Sequence, residues 1–165
     1  MVDLKTASGA EQQACTLAFD IIERIFFGYR DFVRVADEAL AETGYGRAHH
    51  RVLHFVDRNP GLTVGELLHI LKVTKQGLAR TLSRLVSDGL IEAAPGAEDR
   101  REKRLSTTRA GHDLAQRLAT LQTARVEAAI EAAGPEARAV VATFLAALVD
   151  DAERKEVISR IEGGR

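Results

Sequence analysis

Cysteine, proline and large aromatic side chains are scarce in this chain: one Cys, three Pro, no Trp, and only six Phe and two Tyr in 165 residues. A lone Cys excludes an internal disulfide framework and fits a reducing compartment. Few aromatics beside an apolar fraction of 45% indicate aliphatic packing between helices, and the length suits a single domain spanning 1–165. Long hydrophobic runs are lacking too. The longest uncharged stretch, Ala139 to Val149, is too short to cross a bilayer. The first residues, Met1-Val2-Asp3-Leu4-Lys5, contain no apolar signal core. The expectation is a cytoplasmic protein with no membrane partner.

Catalytic signatures are equally thin. No metalloprotease His-Glu spacing, nucleophile elbow or P-loop is present, so an enzyme is not expected and no cofactor is implied. His50 and His54 stand at i, i+4, but no Cys, Asp or Glu at suitable spacing completes a ligand set, so no metal is expected. Cys15 lacks a neighbouring cation to activate it and reads as a small buried hydrophobe rather than a redox sensor.

What is present is concentrated between residues 60 and 111. Pro60-Gly61 stops any incoming helix, and Thr63 with Glu66 forms a capping box that starts a new one. Val64, Leu67, Leu68 and Leu71 then follow the i, i+3, i+4, i+7 pattern of a buried stripe. Lys72-Val73 breaks the stripe, and Thr74 caps a second helix. Its inward face is expected to be Leu78, Leu82, Leu85 and Val86, and its outward face Gly77, Arg80, Thr81 and Arg84. Asp88-Gly89 ends it, Gly89 taking the left-handed conformation. A strand from Leu90 to Ala94, a Pro95-Gly96 turn region and a return strand frame the arginine-rich tip around Asp99-Arg100-Arg101-Glu102-Lys103-Arg104.

Two short capped helices, a tight turn and a basic hairpin make a winged helix-turn-helix. The outward face of the second helix presents donors suited to phosphates and base edges. Lys75 and Gln76, near its start, are the candidates for base edges; Arg80 and Arg84 are candidates for guanine or phosphate. The regional charge agrees. Residues 60–110 hold nine Lys and Arg against six Asp and Glu, whereas the whole chain has a net charge of −1, so positive charge collects where DNA would lie. The near-neutral total also leaves open a winged helix that binds protein without binding DNA.

These residues resemble the MarR family of winged-helix regulators. The resemblance rests on the Leu-Thr-x-x-Glu-Leu run from Leu62 to Leu67, the Gly-Leu-Ile after the second helix, the Asp-x-Arg of Asp99 and Arg101, and the Thr-x-x-Gly of Thr108 and Gly111. Thr107 stands where the family usually has leucine. The stretch from Gly46 to Val52, with Thr74-Lys75-Gln76, is similar to a PetP-like subgroup. The resemblance implies a mainly α fold with a small β-hairpin wing, a DNA-binding region at 46–111, and dimerisation helices at 8–42 and 112–162. It also implies that Arg101 enters the minor groove with Asp99 holding it, while Arg100, Lys103 and Arg104 meet the backbone, and Thr74 completes the DNA-facing set. Family members commonly respond to small aromatic or anionic effectors, for which Tyr29, Arg30, Phe32, Tyr45, His49 and His50 are the candidate residues here.

The terminal segments carry more apolar surface than one small domain can hide. Ser8 and Glu11 offer a capping box for a helix running to about Glu42, with Leu17, Ile21, Ile25, Phe32 and Val35 beside Ile22, Phe26, Tyr29, Val33, Ala36 and Leu40. A helix from Arg47 to about Arg58 turns Val52, Leu53, Phe55 and Val56 toward the reader. Thr108 caps a long helix to about Ala133. Gly134 breaks it, and Pro135-Glu136 opens a last helix with Val140, Val141, Phe144, Leu145, Leu148 and Val149. A C₂ homodimer with two projecting readers is the expected assembly, on a palindromic double-stranded DNA operator with half-sites about 34 to 36 Å apart.

Overall fold

A computed structural model describes residues 9–96 and 102–163, with side chains from Phe19 onward. The Ser8 cap, the Cys15 and Leu17 side chains, and Asp99, Arg100 and Arg101 lie outside the described residues. The chain runs α1 (Gly9–Leu40), a single 3₁₀ turn (Ala41–Thr43), α2 (Arg47–Arg58), β1 (Leu62–Thr63), α3 (Val64–Leu71), α4 (Lys75–Ser87), β2 (Ile91–Pro95), β3 (Lys103–Thr107), α5 (Arg109–Ala133), α6 (Ala137–Leu148) and α7 (Asp151–Gly163).

The expected starts and stops act as the local chemistry requires. Thr63 Oγ1 accepts from the Glu66 amide at 3.1 Å, while Glu66 Oε2 accepts from the Thr63 amide at 2.8 Å. Those bonds hold the Glu66 carboxyl below its ordinary range. Thr108 Oγ1 likewise accepts from the Gly111 amide at 3.1 Å to open α5. Gly89 adopts φ +71° at the end of α4, where a Cβ would be strained.

Two features were not legible in the pattern. Leu62 and Thr63 form a third strand, so the sheet is antiparallel in the order β1-β3-β2, with Leu62 opposite Leu105 and Ile91 opposite Thr107. Two residues are too few to show alternation. The single C-terminal helix expected after Pro135 is instead two, because Val149 is extended and Asp150 caps α7, its Oδ1 accepting from the Ala152 amide at 2.9 Å.

Thr107, where leucine is usual in the family it resembles, is satisfied by a polar partner. Its hydroxyl donates to Asp57 Oδ1 at 2.9 Å. His112 Nδ1 approaches the same oxygen at 2.8 Å, and Gln116 Nε2 donates to Oδ2 at 3.1 Å. A nearly buried carboxylate on α2 thus ties down the return strand and α5 together, as a buried charge requires.

The main core joins Val52, Leu53 and Val56 of α2, Leu67 and Leu71 of α3, Leu78 and Leu85 of α4, and Ile91 and Leu105 of the sheet. Each such fully buried side chain contributes roughly 1.5–3 kcal/mol. A smaller cluster of Ala36, Leu40 and Leu118 seats α1 on α5, and Tyr45 and Leu114 pack against both.

One contact sets the angle at which α5 leaves the reader. A Cβ on Gly111 would fall 1.9 Å from the Leu90 carbonyl oxygen, which itself accepts from the Thr108 amide at 3.1 Å. Elsewhere in a helix, Gly→Ala stabilises by about 0.5–1 kcal/mol. Here Gly111→Ala is expected to destabilise by at least about 1–3 kcal/mol through overpacking against backbone, read as a fall in the thermal midpoint; a raised or unchanged midpoint would contradict the contact.

Candidate nucleic-acid interface

The exposed side of α4 is built from its cap outward. Thr74 Oγ1 accepts from the Gly77 amide at 3.1 Å, which fixes the first turn and leaves Lys75 and Gln76 exposed on it. Arg80 and Ser83 follow on exposed positions one and two turns later. Neither Lys75 nor Arg80 has an acidic partner among the described residues, so two cationic donors and one amide project from the same end of the helix into solvent.

Two assignments on α4 change. Thr81 is buried, its hydroxyl donating to the Gly77 carbonyl at 3.1 Å. Standing three residues after Leu78 and four before Leu85, it shares their side, and bonding within its own helix removes the cost of burying the hydroxyl. Val86 is exposed, one step round the helix from buried Leu85. The helix turns by about 100° per residue, which carries Val86 past the edge of the face that Leu78, Thr81 and Leu85 bury.

Arg84 is exposed but tethered. Its Nε donates to Asp88 Oδ2 at 2.6 Å, and the Tyr45 hydroxyl donates to the same oxygen at 2.7 Å. The Tyr45 and Arg84 bonds hold the Asp88 carboxyl below its usual range, while burial, then the bond to Asp88, raises the Tyr45 phenol. The end of α4 is thereby fastened to the chain entering α2.

On the wing, Lys103 and Arg104 are exposed on β3. Arg104 Nη1 donates to the Gly61 carbonyl at 3.3 Å and Nη2 to Glu102 Oε2 at 2.9 Å, so its guanidinium lies along the sheet edge. Sequence reasoning passed over Arg51, whose Nη2 donates to the Leu71 carbonyl at 3.1 Å and braces the turn between α3 and α4. Its partner is a backbone atom twenty residues away, so no side-chain pattern announces it.

The MarR family model matches residues 43–102, the span from the chain entering α2 through α4 and β2 that ends just before Lys103 and Arg104. The HTH-type transcriptional regulator PetP of Rhodobacter capsulatus is 46% identical over 134 residues, covering 81% of each chain. This chain belongs to the MarR family. It is a helix-turn-helix transcriptional regulator and not an enzyme. The fold is shared with Streptococcus pneumoniae FabT solved in complex with DNA, at a TM-score of 0.71 and 21% identity over 79% of this chain and 94% of that one. It is shared too with a mutant MarR from E. coli complexed with operator DNA, at 0.62 and 23% over 79% and 96%.

Within this MarR-family fold the residues considered for an effector do not converge on one cavity. Tyr45, His49 and His50 meet Leu40, Leu53, Leu85, Leu114 and Leu118 at the joint of the two cores, but the joint is filled, with no room for a water molecule. His49 is occupied in capping α2, its Nδ1 accepting from the Gly46 amide at 3.1 Å. Arg30 pairs with Asp31 at 2.9 Å and lies 4.9 Å above the Phe27 ring. Tyr29 is exposed and Phe32 half-buried on α1. No helix among the described residues is long and apolar enough to cross a membrane.

His50 and His54 face each other edge-on at 6.4 Å between ring centres. Burial first lowers the pKa of both rings, followed by repulsion from His54 at His50 and from the Arg58 guanidinium at His54. With folded values below the unfolded value of about 6.5, their contribution to stability is complete above that pH and is lost as pH falls through the depressed values. Thermal midpoints are expected to fall between pH 7.5 and 5.5, with a shallower slope in His50→Leu/His54→Leu; equal slopes would remove these histidines from the account.

Proposed function

We propose that this regulator binds a palindromic operator as a homodimer in the cytoplasm, with α4 in the major groove, the wing beside the backbone and minor groove, and a small effector controlling occupancy. The observation that carries the reading is the exposed, acid-free cluster of Lys75, Gln76 and Arg80 at the capped start of α4. It stands on a rigid core in the position from which a helix-turn-helix contacts base edges. Thr74 and Arg84 flank this cluster, and Lys103 and Arg104 extend it onto the sheet. Asp99, Arg100 and Arg101 belong to the same surface by their resemblance to the family's wing. Segment 46–111 is then the reading unit, and 8–42 with 112–162 the dimerisation helices. The DNA bound in the FabT and MarR complexes supports the same partner for this chain.

The dimer is supported by apolar surface that one chain leaves uncovered. Phe19, Ile22 and Phe26 on α1 are about 60% exposed, and Val140, Phe144, Leu145 and Leu148 on α6 are exposed as well. Patches of this extent are characteristic of interaction surfaces. A two-fold partner buries both faces at once and sets two readers on one side.

Arg80→Ala and Arg101→Ala are each expected to weaken binding to the chain's own upstream DNA by about 1–3 kcal/mol at fixed salt, measured by fluorescence anisotropy; unchanged affinity in both would reject the assigned surface. Absence of any retention at low salt would favour a winged helix that binds protein. Phe26→Asp, at a position exposed in the single chain, is expected to turn the dimer into a monomer in sedimentation velocity. A wild-type monomer would overturn the paired-reader model.

A further inference from the structure

The turn between α3 and α4 forms one wall of a notch of about 550 Å³, whose other walls are the first half of α2 and the first half of α4. Val52 and Leu78, both buried, lie at its floor, and exposed Ala48 and Val73 stand at its sides. Three cationic side chains line it, Arg51, Lys72 and Arg80, and none of the lining residues is acidic. Lys72 is drawn off to Glu153 of α7. Arg51 and Arg80, both exposed, have no acidic partner among the described residues, so the notch presents two uncompensated charges.

Its place decides which anion it suits. A helix with its side chains is about 10–12 Å across, and the major groove is about 12 Å wide. With α4 in that groove, the strand at the groove's edge must run along whatever packs beside α4. The element beside its first half is α2, and the notch lies between the two, continuous with Arg80 on the reading face. Base edges lie at the floor of a groove about 8.5 Å deep, beyond the reach of α2, whereas the phosphates line its rim. We infer that Arg51 is an operator contact, its guanidinium taking one backbone phosphate that seats in this notch with Arg80 at the border.

The chemistry of Arg51 suits that role. A guanidinium carries five N–H donors, and among the described residues the recorded bond is the one from Nη2 to the Leu71 carbonyl at 3.1 Å. That bond fixes the side chain before DNA arrives, which lowers the entropy lost on binding. The remaining donors are left for a bidentate, charge-assisted grip on a phosphate. A single side chain thereby joins the turn that aims α4 to the DNA backbone. The assignment deepens the operator reading and rests on it.

The test measures binding of the full chain to its own upstream DNA across a salt series by fluorescence anisotropy. Arg51→Gln keeps an amide donor and removes the charge. It is expected to bind at least about tenfold more weakly at about 50 mM salt, with the slope of log affinity against log salt flattened by about 0.9 for each reading head. The loss should be the same factor on operators carrying single base-pair changes, as a phosphate contact requires, and Arg51→Lys should keep the wild-type slope. In a scan of single methylphosphonate substitutions, one neutralised phosphate per half-site should weaken the wild type and leave Arg51→Gln unaffected. A wild-type slope in Arg51→Gln, whatever its affinity, would reduce Arg51 to a brace and overturn the assignment, as would a loss confined to particular base pairs or a scan without such a phosphate. A wild type that binds no DNA at low salt would overturn the operator reading together with it.

Discussion

The backbone junction at Leu90 holds the reader to the rest of the chain. The Leu90 carbonyl accepts from Thr108, the Thr108 hydroxyl donates to the Gly89 carbonyl at 2.6 Å, and Gly111 passes so close that no side chain fits. The end of α4, the start of β2, the end of β3 and the start of α5 therefore meet within a few residues. The buried Asp57 carboxylate fastens α2 to the same β3–α5 corner through Thr107, His112 and Gln116. Because these bonds are short-range and mutually dependent, the recognition helix cannot tilt against α5 without breaking several together, and its orientation is inherited by whatever α5 is joined to.

That rigidity gives meaning to the uneven distribution of surface. Cationic donors gather on α4 and the wing, whereas uncovered apolar side chains gather on α1 and α6, at the far end of the α5 lever. A near-neutral chain gains less from counterion release than a strongly basic one. In the proposed homodimer, two reading heads held at a defined separation compensate, because the second binds at the effective concentration set by the first. The two surfaces fit the proposed homodimer, in which apolar burial would fix the spacing and polar side chains would read the groove.

Legibility from the sequence followed the range of the interaction. Capping boxes at Thr63 and caps at Thr74 and Thr108 act within three residues, so they were readable, as were the aliphatic stripes of α2 and α3. The two-residue strand at Leu62 was hidden because its partner is Leu105. Thr81 looked outward because a hydroxyl is polar, yet it bonds its own helix and packs beside Leu78. The group around Tyr45, His49 and His50 looked like a pocket in one dimension, but leucines from α1, α2, α4 and α5 fill it. Conversely, Phe55 and Arg58 of α2 share a cleft with Val157 of α7 across about a hundred residues of chain, a separation at which no periodicity or motif carries information.

The claim that α4 enters the major groove as one of two copies is tested most directly by methylation protection at guanine N7, an atom displayed only in that groove. The account predicts two protected patches on the chain's operator, centred about one helical turn apart and related by a dyad. Saturating protein with no N7 protection, or a single unpaired patch, would contradict it.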